Sequence, residues 1–272
     1  MACFPASKPA VAIWLWLCCF AGTSLAATAA TAGLPTLDDE QLRWLGERIF
    51  LNECNAKPDC LTAWNQGEDF PSLGIGHFIW LRQGQTVPFV ETFPGLLDYL
   101  RQHAVELPPW LATARGQPWP DRQSFLADRG GPRLAELRTL LARTRPLQTA
   151  YIVQRFERLT QDQSGPLAGN PVRQRKLAAV AAAKIPYGLY ALIDYVHFKG
   201  DGSQASERYQ NQGWGLVQVL DGMPESGTDP LRDFVVSAGT VLQQRVANAP
   251  VERHEERWLA GWLKRLQTYL PR

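Results

Sequence analysis

The sequence is poor in the residues that bind metal ions and nucleic acids. Its 272 residues include only four histidines, which lie scattered without the spacing of a metal-ligand set. The formal net charge is only +2, and no block of like charges occurs, so nucleic acid is not an expected partner. With 45% hydrophobic and 20% charged residues, the chain has the composition of a globular protein. We expect neither a metal nor a cofactor.

Long apolar runs are also lacking, apart from one near the N-terminus. The eleven residues 11–21 (VAIWLWLCCFA) follow Lys8 and precede the small residues of 24–26 (SLA). This order is typical of a secretory signal peptide, and the run is well short of the roughly 20 residues that a membrane-spanning helix needs. We therefore expect a signal peptide over 1–26 and a flexible leader over 27–35. The mature protein should be exported, to the periplasm or the extracellular space, without a stable membrane anchor.

Cysteine is scarce once the predicted signal peptide has been removed. Of five cysteines, only Cys54 and Cys60 lie beyond residue 26, with five residues between them. Two cysteines in an oxidising compartment most simply form one disulfide. No histidine is near them in sequence, so they do not complete a tetrahedral metal site.

The first helical pattern of the mature chain ends in a glutamate. A capping-box pattern at Thr36 predicts its start, and apolar residues recur at helical spacing from Leu42 to Ile49. At 100° per residue, Glu53 lies about 20° around the helix from Leu42, so it is predicted to end a buried apolar stripe. Burial on such a stripe raises the pKa of a carboxyl group. The alternative is a helix-end residue bonded to a backbone amide.

Glycines and short apolar runs replace the helical pattern between residues 55 and 90. Residues 72–77 (SLGIGH) and the apolar residues after them predict a small β-hairpin. Glycine within a strand marks a bend or a close approach to the backbone. Gly74 and Gly76 therefore favour a ligand that approaches this strand closely, with a β-bulge as the alternative.

The second half of the chain is predicted to be helical. Residues 108–132 are rich in proline and glycine, which predicts a long surface loop. Helical patterns follow over 132–144, 146–160, 171–184, 187–198, 207–222, 230–247 and 251–269. We therefore expect a mainly α (α+β) fold, with one domain over 36–272. Its first part, 36–131, holds the glutamate-ending helix, the β-region and the long loop, and 132–272 forms a helical lobe.

Two of these stretches together resemble the phage-type lysozymes. They are residues 49–53 (IFLNE) at the helix end and residues 72–77 (SLGIGH) in the predicted hairpin. The wider lysozyme-like superfamily cleaves β-1,4-linked aminosugar polymers, chiefly peptidoglycan. The resemblance implies a lysozyme-like fold, with a small β-hairpin lobe after the first long helix. It also implies peptidoglycan or a related aminosugar polysaccharide as the partner.

The resemblance assigns roles position by position. Glu53 corresponds to the general acid, and Ser72 corresponds to a threonine of the family. Gln66 stands where the family has an aspartate, which leaves Asp69 or Glu68 as the second carboxylate or as plain turn residues. An inverting hydrolase needs a base roughly 6.5–9.5 Å from the acid. A lytic transglycosylase needs none, because the 6-hydroxyl of the sugar attacks, and Gln66 favours this second mechanism.

Aromatic and polar side chains form a further set that can bind sugars. Tyr209, Gln212 and Trp214 can stack on sugar rings and hydrogen-bond to them, although an aromatic core is the alternative. His77 and Trp64 join this substrate-binding set, since both lie outside helical patterns. The same applies to Trp80, Trp110 and Trp119, whereas Trp258 and Trp262 are predicted to lie in the core. The cluster around Tyr209 also includes Tyr190, Asp194, Tyr195, His197, Lys199, Gly200 and Gly202.

The sequence thus favours an exported, metal-independent glycosidase or lytic transglycosylase that acts on peptidoglycan. A second possibility is a chitosan- or chitin-directed glycosidase, since the superfamily includes these. A third is a non-catalytic periplasmic protein that binds glycan or acts as a scaffold. The predicted burial of Glu53 separates the third from the others, because a pure binder gains nothing from a buried acid.

Overall fold

Helices dominate the computed structural model, which describes residues 33–87, 90–205 and 207–271. The predicted signal peptide and most of the predicted leader lie outside these residues. The part of the chain that begins at Gly33 forms one unit. In the described ranges, no helix combines the length and the apolar character needed to cross a bilayer.

Eleven α-helices occur in the described residues, which confirms the mainly helical class. They are α1 (Asp39–Cys54), α2 (Phe93–Gln102), α3 (Pro109–Ala112), α4 (Arg122–Ala127), α5 (Pro132–Arg143), α6 (Arg145–Gln161), α7 (Pro171–Ala182), α8 (Tyr187–Lys199), α9 (Leu216–Gly222), α10 (Pro230–Asn248) and α11 (Glu256–Gln267). Short 3-10 helices lie at Pro58–Leu61, Asp128–Gly130 and Val251–Arg253.

Two small antiparallel sheets complete the fold. Strands β1 (Thr62–Ala63), β2 (Ser72–Leu73) and β3 (Phe78–Ile79) form the first sheet in that order, with β2 in the middle. The predicted hairpin after the first helix is therefore present as β2 and β3. Strands β4 (Arg208–Tyr209) and β5 (Gln212–Gly213) form the second sheet.

The second sheet corrects the helix predicted over residues 207–222. Only Leu216–Gly222 is helical there. Gln210 and Asn211 have positive φ values of 49° and 64°, the conformation that a tight hairpin turn requires at its two central residues. The turn brings β4 and β5 together, so the first half of the predicted helix cannot form.

Helix α1 starts two residues later than predicted, because Asp38 caps it instead of Thr36. The Asp38 carboxylate accepts the Gln41 N–H at 2.8 Å, and the Gln41 side chain accepts the Asp38 N–H at 3.0 Å. This reciprocal pair is a capping box. The helix ends at Cys54, which is bonded to Cys60 as predicted, with 5.3 Å between the two Cα atoms.

Helix α8 lies at the centre of the core. All eight residues from Gly188 to Tyr195 are buried, and α8 contacts α6, α7 and α9. Helix α1 packs against α6 through a buried face that includes Leu45, Ile49 and Phe50. Because α1 and α8 both pack against α6, the end of α1 lies near the polar residues of α8.

The segment predicted as a long surface loop is partly helical and partly buried. It contains α3 and α4, and Trp119 is only 4% exposed. The Trp119 ring lies 4.9 Å from the ring of Phe125 and 6.2 Å from that of Trp80. These rings bury a large apolar area, which holds the segment against the β-region.

The structure contradicts the predicted positions of four tryptophans. Trp64 is 5% exposed and packs edge-on against Phe125, so it offers no open ring to a sugar. Trp80 and Trp119 are buried in the same aromatic cluster. Trp258, in contrast, is 52% exposed although its spacing predicted a core position. Trp64 and Trp119 lie outside helical patterns, which suggested an accessible position, but their large apolar rings pack into a cluster of their own.

Candidate functional site

Glu53 lies at the end of α1 with 13% of its side chain exposed. Its two carboxylate oxygens have different neighbours. Oε1 accepts a short hydrogen bond from Nη2 of Arg265, and Oε2 lies 3.5 Å from Nδ1 of His77. The apolar stripe of α1 is present, but Glu53 faces charged and polar groups at its end. Local sequence patterns did not predict these polar neighbours, because Arg265 lies in α11, far along the chain from Glu53.

Arg265 is shared between two carboxylates. Its Nε donates to Oδ2 of Asp194 and its Nη2 to Oδ1, both at 2.8 Å. Asp194 is 1% exposed and also accepts the hydroxyl of Tyr269 at 2.6 Å. Although desolvation opposes it, the hydrogen bonds and charge of Asp194 and the charge of Glu53 raise the pKa of Arg265. One fixed positive charge therefore lies between two carboxyl groups.

Asn52 ties this cluster to the centre of the core. Its amide donates to Oδ1 of Asp194 at 3.1 Å and to the hydroxyl of Tyr190 at 2.7 Å. The Tyr190 hydroxyl in turn lies 2.9 Å from that of Thr268. Desolvation and the charge of Asp194 raise the pKa of Tyr190 to about 12, so its hydroxyl stays protonated. Helices α1, α8 and α11 are thus joined by one polar network, whose buried members all have partners.

His77 is the predicted substrate-binding residue that the structure brings next to Glu53. It lies in the turn between β2 and β3 with a φ of 43°, and its side chain is 26% exposed. Its Nε2 lies 3.5 Å from Sγ of Cys60. The ring of His197 is 6.3 Å away. His197 is exposed, and desolvation beside its neighbours lowers the pKa of its ring.

Gly74 and Gly76 face other parts of the protein. Gly74 has a φ of 69°, and a Cβ there would lie 2.4 Å from Oε1 of Gln148. That oxygen accepts the N–H of Ile75 at 2.9 Å. At Gly76, a Cβ would lie 2.5 Å from the ring of Phe78. Packing of the turn therefore accounts for both glycines without a ligand.

The other predicted catalytic residues have no described contact with Glu53. Asp69 is exposed, and its backbone carbonyl accepts from Gln85 at 2.9 Å. The Glu68 carboxylate accepts from Asn65 at 3.2 Å. Ser72 is 5% exposed in the central strand, where it pairs with Ala63 and Ile79. The carboxylate that does join the Glu53 network is that of Asp194.

Tyr209 and Trp214 are engaged with other residues of the protein. Their rings lie 4.6 Å apart, and the guanidinium of Arg245 lies 4.0 Å from the Trp214 ring. The Tyr209 hydroxyl donates to Glu255 at 2.8 Å, and Trp214 is 6% exposed. Gln212, the third member of this set, is exposed, and its side-chain oxygen accepts from Asn248 at 3.1 Å. Of the three residues, Gln212 is therefore the most accessible to a ligand.

Aromatic rings and basic side chains alternate from Arg245 to Arg265. Arg245 lies 5.0 Å from the ring of Trp262, and Nζ of Lys199 lies 3.3 Å from the same ring. Nζ is also 4.0 Å from the ring of Phe198, over which Arg265 lies at 4.3 Å. Desolvation and the charge of Arg245 lower the pKa of Lys199 to about 6. This stack of basic and aromatic side chains connects the surroundings of Tyr209 with those of Glu53.

The sequence analysis did not identify the role of Asp194 and did not select Arg265 at all. The sequence around each residue nevertheless contains a signal. Asp194 is the one acid in α8, a helix that is otherwise almost entirely apolar and aromatic. Arg265 lies three residues after Trp262 and four before Tyr269, and thus on an aromatic helix face. A charged residue on a buried face needs a partner of opposite charge. Nothing in the local pattern could identify that partner.

Two cavities of the described structure lie away from Glu53. One of about 440 Å³ is lined by Pro108, Ala135, Glu136, Thr139, Leu140 and Arg143. One of about 260 Å³ lies beside Lys176 and Met223. Neither is lined by a member of the Glu53 network.

Comparisons with protein-family models, with curated proteins and with solved structures gave no match to this chain. We therefore infer its function from the chemistry around Glu53 and from the motif over residues 49–77.

Proposed function

We propose that the chain is an exported glycan-cleaving enzyme with a lysozyme-like fold, which acts on peptidoglycan and uses Glu53 as its general acid. The observation that supports this most directly is the unequal environment of the two Glu53 oxygens. Arg265 holds Oε1, while Oε2 faces His77 at the partly open end of α1. This arrangement suits a general acid, because Arg265 positions one oxygen while the other can present a proton to the glycosidic oxygen.

The charges of the network are compatible with this role. Arg265 supplies one positive charge to two carboxyl groups, and Asp194 takes two of its hydrogen bonds. A proton on Glu53 leaves the three groups electrically neutral together. Cleavage transfers that proton to the leaving sugar, and the resulting Glu53 carboxylate remains beside Arg265, which stabilises it.

The mechanism after bond cleavage has two possible forms. A hydrolase requires a carboxylate that activates water, and Asp69 or Glu68 would have to supply it. Asp194 is unsuited to this task, because it is enclosed and already binds Arg265 and Tyr269. In a lytic transglycosylase the 6-hydroxyl of the sugar attacks, and no second carboxylate is needed. The sequence at Gln66 and the contacts of Glu68 and Asp69 favour the transglycosylase.

The test is to incubate the mature protein with purified peptidoglycan and to weigh the products by mass spectrometry. Glu53→Gln should lower the rate of cleavage by about 10²–10⁴-fold, the typical contribution of general acid–base catalysis. The variant should retain glycan binding. Glu47→Gln is the matched control, since Glu47 lies on the same helix with its side chain 63% exposed. This control should cleave at the rate of the unmodified protein.

The products and a second variant separate the alternatives. Anhydro-sugar ends and a small effect of Asp69→Asn indicate a transglycosylase, whereas reducing ends and a large effect indicate a hydrolase. Parallel incubations with chitosan and chitin test the related glycosidase activities. A folded protein that binds glycan but cleaves none of the three polymers is a binding or scaffold protein. Unchanged cleavage by Glu53→Gln rules out the proposed acid.

A further inference from the structure

Three ligand atoms of the kind that bind zinc meet at the end of α1. The Sγ atoms of Cys54 and Cys60 and a ring nitrogen of His77 lie within 4.8 Å of one another, and Nε2 of His77 is 3.5 Å from Sγ of Cys60. They come from three separate pieces of structure, which are the end of α1, the 3-10 helix Pro58–Leu61 and the turn between β2 and β3. The sequence did not predict this group, because His77 is 17 positions from Cys60.

The spacing of these atoms already approaches that of a tetrahedral site. With Zn–S distances of about 2.3 Å and Zn–N distances of about 2.0 Å, neighbouring ligand atoms are roughly 3.5–3.8 Å apart. Sγ of Cys60 and Nε2 of His77 are 3.5 Å apart. Once their bond is broken, the two sulfur atoms need only move to a non-bonded separation. The backbone can therefore stay in place.

Glu53 gives this group a further feature of zinc sites. A histidine that binds zinc through one ring nitrogen commonly donates its other N–H to a carboxylate, which fixes its orientation and protonation. Nδ1 of His77 lies 3.5 Å from Oε2 of Glu53, whereas Nε2 is the ring nitrogen that lies near Cys60. With the proton on Nδ1, the lone pair of Nε2 is free to bind an ion next to Sγ of Cys60. This contact is independent of the cysteine pair.

We propose that reduction of the Cys54–Cys60 disulfide creates a site for one Zn²⁺ ion, bound by Cys54, Cys60 and His77, with Glu53 as the outer partner of His77. An external dithiol supplies two electrons and two protons. The Cys54–Cys60 bond breaks, both sulfur atoms become thiols, and the dithiol closes into its own disulfide. Zinc binding then releases the two thiol protons. A water molecule completes the tetrahedral set, as in zinc sites with three protein ligands.

The oxidised protein cannot form this site, since both sulfur atoms are used in the disulfide. Cys54 is 4% exposed, whereas Cys60 and His77 are half-buried, so an ion can reach the group from the side of these two residues. The site does not depend on the proposed cleavage reaction. Its test is therefore a binding experiment alone.

The experiment uses Co²⁺ as a spectroscopic probe, with the whole mature protein reduced by a phosphine under anaerobic conditions. Circular dichroism first establishes that the reduced protein is folded. One equivalent of Co²⁺ should produce thiolate-to-cobalt charge-transfer bands and the visible bands of tetrahedral cobalt. One equivalent of Zn²⁺ should then remove them. The oxidised protein should give none of these bands.

Variants assign the ligands. Cys60→Ser should lose most of the charge-transfer intensity, and His77→Ala should weaken binding by more than about 10–100-fold, the usual cost of losing only an outer partner. Glu53→Gln should weaken binding within that range. His197→Ala is the matched control, because its ring neighbours that of His77 but lies outside the ligand set, and it should bind like the unmodified protein.

Three results would overturn the proposal. The first is a folded, reduced protein without tetrahedral cobalt bands. The second is equal affinity in the unmodified protein and in His77→Ala, which would indicate binding by the cysteines alone. The third is a reduced protein that is unfolded and that zinc does not refold.

Discussion

Arg265 and Asp194 form an enclosed ion pair with two parallel hydrogen bonds of 2.8 Å. Their side chains are only 14% and 1% exposed, so water screens the pair weakly. The pair connects α11 to α8, the central helix of the core. It also positions the Arg265 nitrogen that contacts Glu53, so the stability of the fold and the geometry of the proposed acid depend on the same contact.

Asp194→Asn should therefore destabilise the protein strongly. Breaking a buried ion pair by removing one charge typically costs about 3–5 kcal/mol, and urea unfolding measures this loss. Asp98→Asn is the control, because the Arg101–Asp98 pair has a similar distance of 2.7 Å but is largely exposed. Its loss should be at most about 1 kcal/mol. Equal losses in the two variants would show that the enclosed pair is not a main support of the fold.

Gly74→Ala should destabilise the turn that carries His77. An added methyl group would lie 2.4 Å from Gln148 at a backbone φ of 69°, so the variant suffers both strain and a disturbed buried hydrogen bond. Strain of this backbone type costs about 1–2 kcal/mol, and disturbing the buried hydrogen bond adds roughly 1–3 kcal/mol. Gly84→Ala provides the comparison, since Gly84 has a φ of 77° and open space around it. Thermal unfolding should show a larger loss of stability for Gly74→Ala than for Gly84→Ala. A larger loss for Gly84→Ala would contradict the packing described for Gly74.

Lys199 should make stability depend on pH. Desolvation and the charge of Arg245 lower its pKa from 10.5 to about 6, although the charge of Glu255 opposes this shift. Between these two pH values the unfolded chain binds one more proton than the folded protein. The free energy of unfolding should therefore rise with pH, by up to about 1.4 kcal/mol per unit from this group.

Lys199→Met should remove that rise, which urea unfolding between pH 7 and pH 9 can measure. The variant should exceed the unmodified protein in free energy of unfolding by the most at pH 7, and this difference should shrink towards pH 9. Lys264→Met is a suitable control, because Lys264 is exposed on α11, and it should keep the slope of the unmodified protein. A slope that is unchanged in Lys199→Met would refute the assignment.

The cysteines of the mature protein should be unreactive before reduction. Because Cys54 and Cys60 are bonded to each other, free-thiol labelling of protein taken from its native compartment should find no labelled cysteine. In the chain-entropy model, so short a loop stabilises the fold by roughly 2 kcal/mol, so reduction should lower the unfolding midpoint. Two labelled thiols would show that the disulfide does not form there.

Local patterns predicted much of the helical fold. Helices α5, α7 and α10 begin at Pro132, Pro171 and Pro230, and proline at the first helical position marks such a start. The prediction failed at 207–222, where the Gln210–Asn211 turn has no apolar pattern of its own. It also failed for Trp64, because the composition of a segment does not show which rings will pack together.

The candidate site was predictable only where its members are close in sequence. Glu53, the cysteine pair and His77 all lie within residues 53–77 and were identified from spacing and resemblance. Arg265 pairs with Glu53 across 212 positions, and no local periodicity encodes such a pairing. The apolar environment predicted for Glu53 was wrong for the same reason, since the polar partner comes from α11.

The long sequence separation of Glu53 and Arg265 also determines when the two residues can first meet during synthesis. A ribosome makes Glu53 early and must add 212 more residues before Arg265 exists. A nascent chain, or one cut short before α11, has the glutamate but lacks the cation that orients it. The catalytic arrangement we propose is thus completed only when the last helix docks. Under the proposed function, an unfinished molecule would therefore lack the contact between Arg265 and Glu53.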